Sequence, residues 1–206
     1  VTNKNNSTDN TRTILGLMDL GESNFYNVSD PGLINNSAPF NDPYPSDSAN
    51  SLYANLLTNY PSLRDVGSVQ NTMSSVPSLS SSRDYEVVQN ARKLNPNEYT
   101  FNARLGYVSL NQSLNSNEVL GVAYEYTVGN KVYRVGELTT SGVEPPKVLV
   151  MKLLKARVTN TKLPTWDLMM KNIYALGGFQ IDKKDFKLDV LYYVDTIGNR
   201  INYLPV

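Results

Sequence analysis

The chain has 206 residues, enough for one sizeable domain or two small ones, and it carries 19 basic and 19 acidic side chains with no histidine and no cysteine. A formal charge of zero with no run of like charge excludes the basic footprint that nucleic-acid binding requires. Without cysteine there are no disulfides, thiol nucleophiles or thiolate metal sites, and without histidine there are no catalytic triads, imidazole bases or usual zinc sites.

The elements fall in two parts. Residues 1–83 are rich in Asn, Ser, Pro and Asp, with short apolar islands at 14–20, 33–34, 52–57 and 66–73. The first dozen residues read as disordered. Leu52, Leu56 and Tyr60 lie at i, i+4 and i+8, with caps available at Ser46 to Ser48 and Pro61 as the stop, which predicts one short helix. The rest of this part reads as a long irregular wrapping segment, because its apolar content is too sparse for a core of its own.

From Asp84 the pattern is that of strands, and the 14 tyrosines suit half-buried sheet positions. Thr100, Asn102 and Arg104 alternate with Phe101, Ala103 and Leu105 up to Gly106, where a bulge or a close backbone approach fits. In 118–138 the pair Gly129-Asn130 suits a two-residue hairpin turn. That turn sets Val128 opposite Lys131, Tyr126 opposite Tyr133, Tyr124 opposite Val135 and Val122 opposite Glu137. It leaves Glu125 with Arg134 and Thr127 with Val132 on a wetter face. A strand at 148–158 and another at 186–195 follow, separated by a helix at about 165–176 that is capped by Thr165 and ended by Gly177-Gly178. The expected fold is mainly β with few helices, an antiparallel β-sandwich-like or α+β domain over 84–206 preceded by the polar segment 1–83.

Chemistry is sparsely signposted. No phosphate loop, dinucleotide fingerprint or nucleophile elbow occurs, so no catalytic, cofactor-binding or metal residue is assigned and no cofactor is expected. The run Asp182 to Asp185 reads as a solvated turn. Asp19, Glu22, Asp30 and Asp42 lack calcium-loop spacing. A glycosidase would need two carboxylates in one cleft, and the hairpin register puts the nearest pair, Glu125 and Glu137, on opposite faces with no pocket expected between them. The helical stripe of Trp166, Met169 and Met170 reads first as core and second as a candidate interaction surface. Asp47-Ser48-Ala49 and Asp195-Thr196-Ile197 resemble the acceptor motif for O-glycosylation of exported proteins in Bacteroides-type bacteria, which makes Ser48 and Thr196 candidate modification sites.

The segment 164–206, PTWDLMMKNIYALGGFQIDKKDFKLDVLYYVDTIGNRINYLPV, resembles part of the SprA/Sov family, as do ILGLMDLGE, NYPSLRDV, RDYEVVQNARKLNPNEYTFNARLGYVSLNQSLN, EVLGVAYEYTVGNKVYRVGEL and KVLVMKLLKA in the same order. Members of that family are very large outer-membrane proteins of Bacteroidota that form the type IX secretion translocon and, in gliding species, support surface motility. The resemblance implies a longer parent chain in the cell envelope, at the outer membrane or cell surface. It also implies partners among other segments of the translocon and secretion-system proteins. The sequence has neither an initial Met nor a basic-then-apolar leader, so either a mature chain or an excised piece of a longer protein is expected, the second being favoured. No apolar run reaches the roughly 18 residues of a spanning helix, so the piece itself is expected to be water-soluble, a structural and interaction module and not an enzyme. Two alternatives remain open: strands of the barrel itself, and a carbohydrate-binding β-sandwich. Against barrel staves, both faces of 148–158 carry a cation, at Lys152 on one and at Lys155 and Arg157 on the other.

Overall fold

The computed structural model describes residues 11–20, 44–49, 51–77, 79–173, 181–193, 198 and 200–203. They fall in two units, Val1–Met170 and Lys171–Val206. The fold is mainly β, as the sequence predicts.

In the first unit the elements are β1 (Thr11–Leu17), α1 (Leu52–Asn59), a 3-10 turn (Pro61–Arg64), α2 (Val69–Ser75), β2 (Tyr85–Arg92), β3 (Tyr99–Asn102), β4 (Tyr107–Leu110), β5 (Leu120–Val122), β6 (Tyr124–Val128), β7 (Lys131–Val135), β8 (Leu149–Lys155) and the single turn α3 (Pro164–Asp167). The central sheet has the order β2-β1-β8-β5. Its pairs are antiparallel except β1 with β8, which run parallel with Ile14 beside Leu149 and Leu17 beside Lys152. An interior strand of this sheet therefore comes from the polar first part of the chain, and the boundary expected at residue 83 does not divide the sheet. Such a parallel pair needs a long crossover, and the sequence between supplies it.

Both faces of the sheet are covered. Leu15, Leu17, Val148 and Val150 point to one side, where α1, the 3-10 turn and α2 contribute Leu52, Leu56, Leu63, Val69 and Met73. Ile14, Leu149, Met151 and Leu153 point to the other, where Val88, Val119 and Ala156 join them. Gly16 sits on this second side because a Cβ there would lie 2.3 Å from Leu153 Cδ2, and Leu153 is itself fully buried. Residue period and face agree along β1 and β8, which is why short apolar runs suffice to form strands.

The β6–β7 hairpin has the predicted register from Tyr124 opposite Val135 to Val128 opposite Lys131. It stops there. Gly136 has φ +71°, and a Cβ on it would press on Ala123 Cβ at 3.2 Å. The backbone turns at this point, so Glu137 N donates to Val150 O and Val122 pairs with Lys152 instead of Glu137. Two further expectations change. Gly106 belongs to the turn between β3 and β4, where its N–H donates to Asn102 O, and not to a bulge. The helix expected at 165–176 is one turn, with its N-terminal boundary at Leu163, no side-chain cap and Leu168 already past its end. Met169, Met170 and Ile173 are exposed, and a stripe with no surface to pack on does not offset the cost of helix nucleation. Residues 174–176 lie outside the described residues.

In the second unit β9 (Tyr192–Tyr193) pairs with β10 (Arg200–Ile201). Residues 183–185 form the expected exposed turn. The strand expected over 186–195 is paired only at its Tyr192–Tyr193 end among the described residues, and 194 and 195 lie outside them.

Two predictions follow from this packing. Gly16→Ala drives a methyl into Leu153 and should lower stability by about 1–3 kcal/mol; urea denaturation measures it, and the double variant Gly16→Ala/Leu153→Ala should lose less than the sum of the two single losses. Glu98 accepts both Arg92 Nη atoms, at 2.8 and 2.6 Å, and the Asn95 N–H at 2.8 Å. The Arg92 bond is the main cause that lowers its pKa from 4.5 to about 2. Because the folded value is the lower one, the stabilisation is full above pH 4.5 and fades as pH falls toward about 2. Glu98→Gln should therefore flatten the stability curve across that window, read by urea denaturation in acid.

Candidate functional site

A cleft of about 740 Å³ lies between the loop 46–48, α1, the 3-10 turn and the β6–β7 hairpin. Its floor is an ion pair with a buried carboxylate and a partly exposed guanidinium. Glu137, 4 % exposed, leaves β7 at the Gly136 bend and meets Arg64 at the end of the 3-10 turn. Arg64 Nη1 donates to Glu137 Oε2 at 2.6 Å, and Nη2 donates to Oε1. Tyr53 on α1 donates its hydroxyl to Oε1 at 2.5 Å, and Val150 N donates to Oε2 at 2.8 Å. Arg64 also binds the entry of β8, with Nη1 on Val148 O and its own carbonyl accepting Val148 N–H. Burial, then the bond to the Glu137 carboxylate, raises the Tyr53 pKa well above the usual phenol range. The bond to Glu137 raises that of Arg64. Four separate pieces of backbone thus meet at one carboxylate.

The rim is more exposed. Arg134 Nη2 donates to Glu125 Oε2 at 2.8 Å. Asp47 N donates to Arg134 O, and Gly136 N donates to Asp47 Oδ1, both at 2.8 Å. Lys131 lies over the Tyr133 ring, 5.0 Å from its centre.

Glu125 and Glu137 line the same cleft, contrary to the expectation that the hairpin keeps them on opposite faces with no pocket. The bend at Gly136 removes Glu137 from the hairpin, so face parity no longer applies to it. The pair still offers no free acid and base. Both Glu137 oxygens hold Arg64, Tyr53 and Val150, and Glu125 holds Arg134. What the arrangement does chemically is clamp backbone.

The other sequence-nominated residues are dispersed. Ser48 is exposed on the cleft rim, within a motif fixed to the hairpin by Asp47. Thr196 lies outside the described residues. Trp166 is half-buried and lines a small notch with Leu154, Ala156 and Met169, while Met169 and Met170 are 41 % and 43 % exposed. Core packing of that stripe is therefore confined to Trp166. Asp19 is buried, whereas Glu22, Asp30 and Asp42 lie outside the described residues. Among the described residues no group of three His, Cys, Asp or Glu side chains could hold a metal ion.

Sequence reading missed the Arg64–Glu137–Tyr53 centre and the inward use of cations. Lys152, buried in the middle of β8, donates to Met18 O at 2.5 Å. Lys155 Nζ is held by the carbonyls of Asn115, Ser116 and Glu118 at 3.1, 3.1 and 2.6 Å, and burial lowers its pKa. Arg12 donates to Val143 O and Lys147 O. The available signal was a lone lysine inside an apolar strand, which needs an acceptor wherever that strand is interior.

Compared with known proteins, the chain matches no family model and none of the curated proteins.

Removing one partner of the clamp strands a buried charge. Arg64→Ala should cost about 3 kcal/mol, and Tyr53→Phe about 1 kcal/mol. Urea denaturation of both variants and of Arg64→Ala/Glu137→Gln checks this, the double variant recovering part of the single loss.

Proposed function

We propose that this chain is a structural and interaction module of a very large outer-membrane protein resembling the SprA/Sov family, acting in type IX secretion and gliding motility. Besides the ordered set of motifs, one observation carries the reading. In the second unit the described run 181–193 is exposed throughout, with Leu188 58 % and Val190 77 % accessible beside Phe186, Leu191, Tyr192 and Tyr193. Phe186, Leu188, Val190 and Tyr192 recur every second residue, with Lys187 and Asp189 between them. That is the pattern of a half-buried strand, displayed with no covering layer among the described residues of its own unit. An exposed apolar run of this kind belongs to a protein that is covered by further polypeptide. The other segments of the translocon and its secretion partners are the covering material this reading assigns, in the cell envelope.

The barrel-stave alternative is less well supported. β8 has seven residues, against the about 9–11 a spanning strand needs. Leu149, Val150, Met151, Lys152 and Leu153 are all buried by the protein's own residues, so neither face of β8 is available to lipid. The sugar-binding alternative is weakened at its central ring, because Tyr133 is buried in contacts with Tyr44 and Tyr126, which leaves Tyr44 and Tyr124 as the exposed rings of that row. No described helix is long and apolar enough to cross a membrane.

A photo-reactive residue at Val190 of the full-length protein in living cells tests the reading. Cross-links to other translocon segments or to secretion partners are expected. Cross-links confined to residues of this chain would overturn it.

A further inference from the structure

The β6–β7 hairpin is a two-stranded sheet of its own, and one bond reveals which way its backbone points. Asp47 N donates to Arg134 O from outside the hairpin, so the polar groups of residue 134 face away from β6. In an antiparallel pair, opposed residues alternate between those that exchange both backbone bonds and those that exchange neither. Glu125, opposite Arg134, and Thr127, opposite Val132, therefore direct their N–H and C=O groups outward along the far edge of β6. On the β7 side the Asp47 loop already occupies a rung. On the β6 side no described residue bonds the backbone of Glu125 or Thr127, and both residues are exposed.

The side chains at this edge are specific. On one face a row of rings runs from Tyr44 to Tyr133 to Tyr126 to Tyr124, with centres 5.3, 5.3 and 6.0 Å apart, and ends at Tyr124, which is exposed. On the other face the row Arg134–Glu125 ends in an acid. Proteins guard open edges with proline, lysine or a bulge. Tyr-Glu-Tyr-Thr-Val has none of these three; its one charge is Glu125, and the register of β6 with β7 is unbroken. The outer strand of the main sheet, β2, does carry an irregularity against β1.

We propose that the outer edge of β6 is a strand-addition site for an extended polypeptide segment. In that segment a basic side chain lies beside Glu125, and apolar or aromatic side chains on either side of it cover Tyr124 and Tyr126. Backbone bonds to Glu125 and Thr127 supply affinity, and the two side-chain rows supply register and charge preference. The site rests on β6 and its neighbours alone and holds for any parent protein.

The test uses the 206-residue chain and two fluorescent peptides of about ten residues, the usual upper length of a strand. In one, lysine alternates with valine and tyrosine; in the other, glutamate replaces lysine. Fluorescence anisotropy should show saturable binding of the basic peptide and weaker binding of the acidic one, and amide exchange should slow at Glu125 and Thr127. Thr127→Pro removes an outward donor that the hairpin does not use and should weaken binding about tenfold. Glu125→Lys keeps the strand and should reverse the peptide preference, which decides the matter if the proline variant misfolds. No saturable binding, protection that spares Glu125 and Thr127, or an unchanged preference in Glu125→Lys would overturn the proposal.

Discussion

The arrangement of the first unit depends on what happens at the Glu137 carboxylate. Its two oxygens take Tyr53 from α1, both Arg64 Nη atoms from the 3-10 turn and the Val150 N–H from β8. The helical layer is therefore tied to the sheet by directional bonds as well as by apolar packing. The pair gains little net free energy, because withdrawing the Glu137 carboxylate and part of the Arg64 guanidinium from water offsets most of their attraction. Its value lies in position. The apolar layer of Leu52, Leu56 and Leu63 could slide on Leu15, Leu17 and Val150, since burial is indifferent to direction. One carboxylate with four donors admits a single placement, and that placement also shapes the cleft.

The same economy governs the cations. A sheet covered on both faces has no room for solvated charge, yet β8 carries Lys152 and Lys155, with Arg157 just beyond. Each head group ends on oxygen: Lys152 on Met18 O, Lys155 on a ring of carbonyls, and Arg157 on Glu86. Arg12 does the same for the loop at Val143 and Lys147. Apart from the Arg157–Glu86 pair, these are bonds from charged donors to loop and strand-end carbonyls, and charged donors make the stronger bonds. Loops of little apolar content can thus be held without a core of their own.

How much of this was legible in the sequence depended on the range of the interaction. The β6–β7 register was fully readable, because Gly129-Asn130 sets it within a dozen residues. So were the turn at Asp182 to Asp185 and the helix at Leu52, which follow local rules, although that helix starts after Ser51 without a side-chain cap and not at the caps expected at Ser46 to Ser48. The interior position of β1 was not readable: its partners β2 and β8 lie far along the chain, and the short apolar island at 14–20 does not say what it pairs with. The Glu137 clamp was hidden for a related reason. Alternation carries a strand's faces only as far as its backbone continues, and the bend at Gly136 ended that continuity one residue before the carboxylate. The helix at Trp166 failed in the opposite direction. Its local signals were sound, but periodicity reports a face, not the presence of something to receive it.

Edges follow the same logic as faces. Where the chain completes its own structure, it does so thoroughly: the main sheet is sealed above and below, its long edge strand is irregular, and its charges are bonded inward. Beside that thoroughness, the smooth outer edge of β6 and the bare alternation from Phe186 to Tyr192 stand out as surfaces left without such treatment. A two-stranded sheet is marginal alone, and an apolar strand pattern in water is a liability for aggregation. A fold that fixes its interior with ion pairs on the buried carboxylates Glu137 and Glu86 gains from open strand edges only if other polypeptide closes them, and that is the closure the proposed interaction module would make.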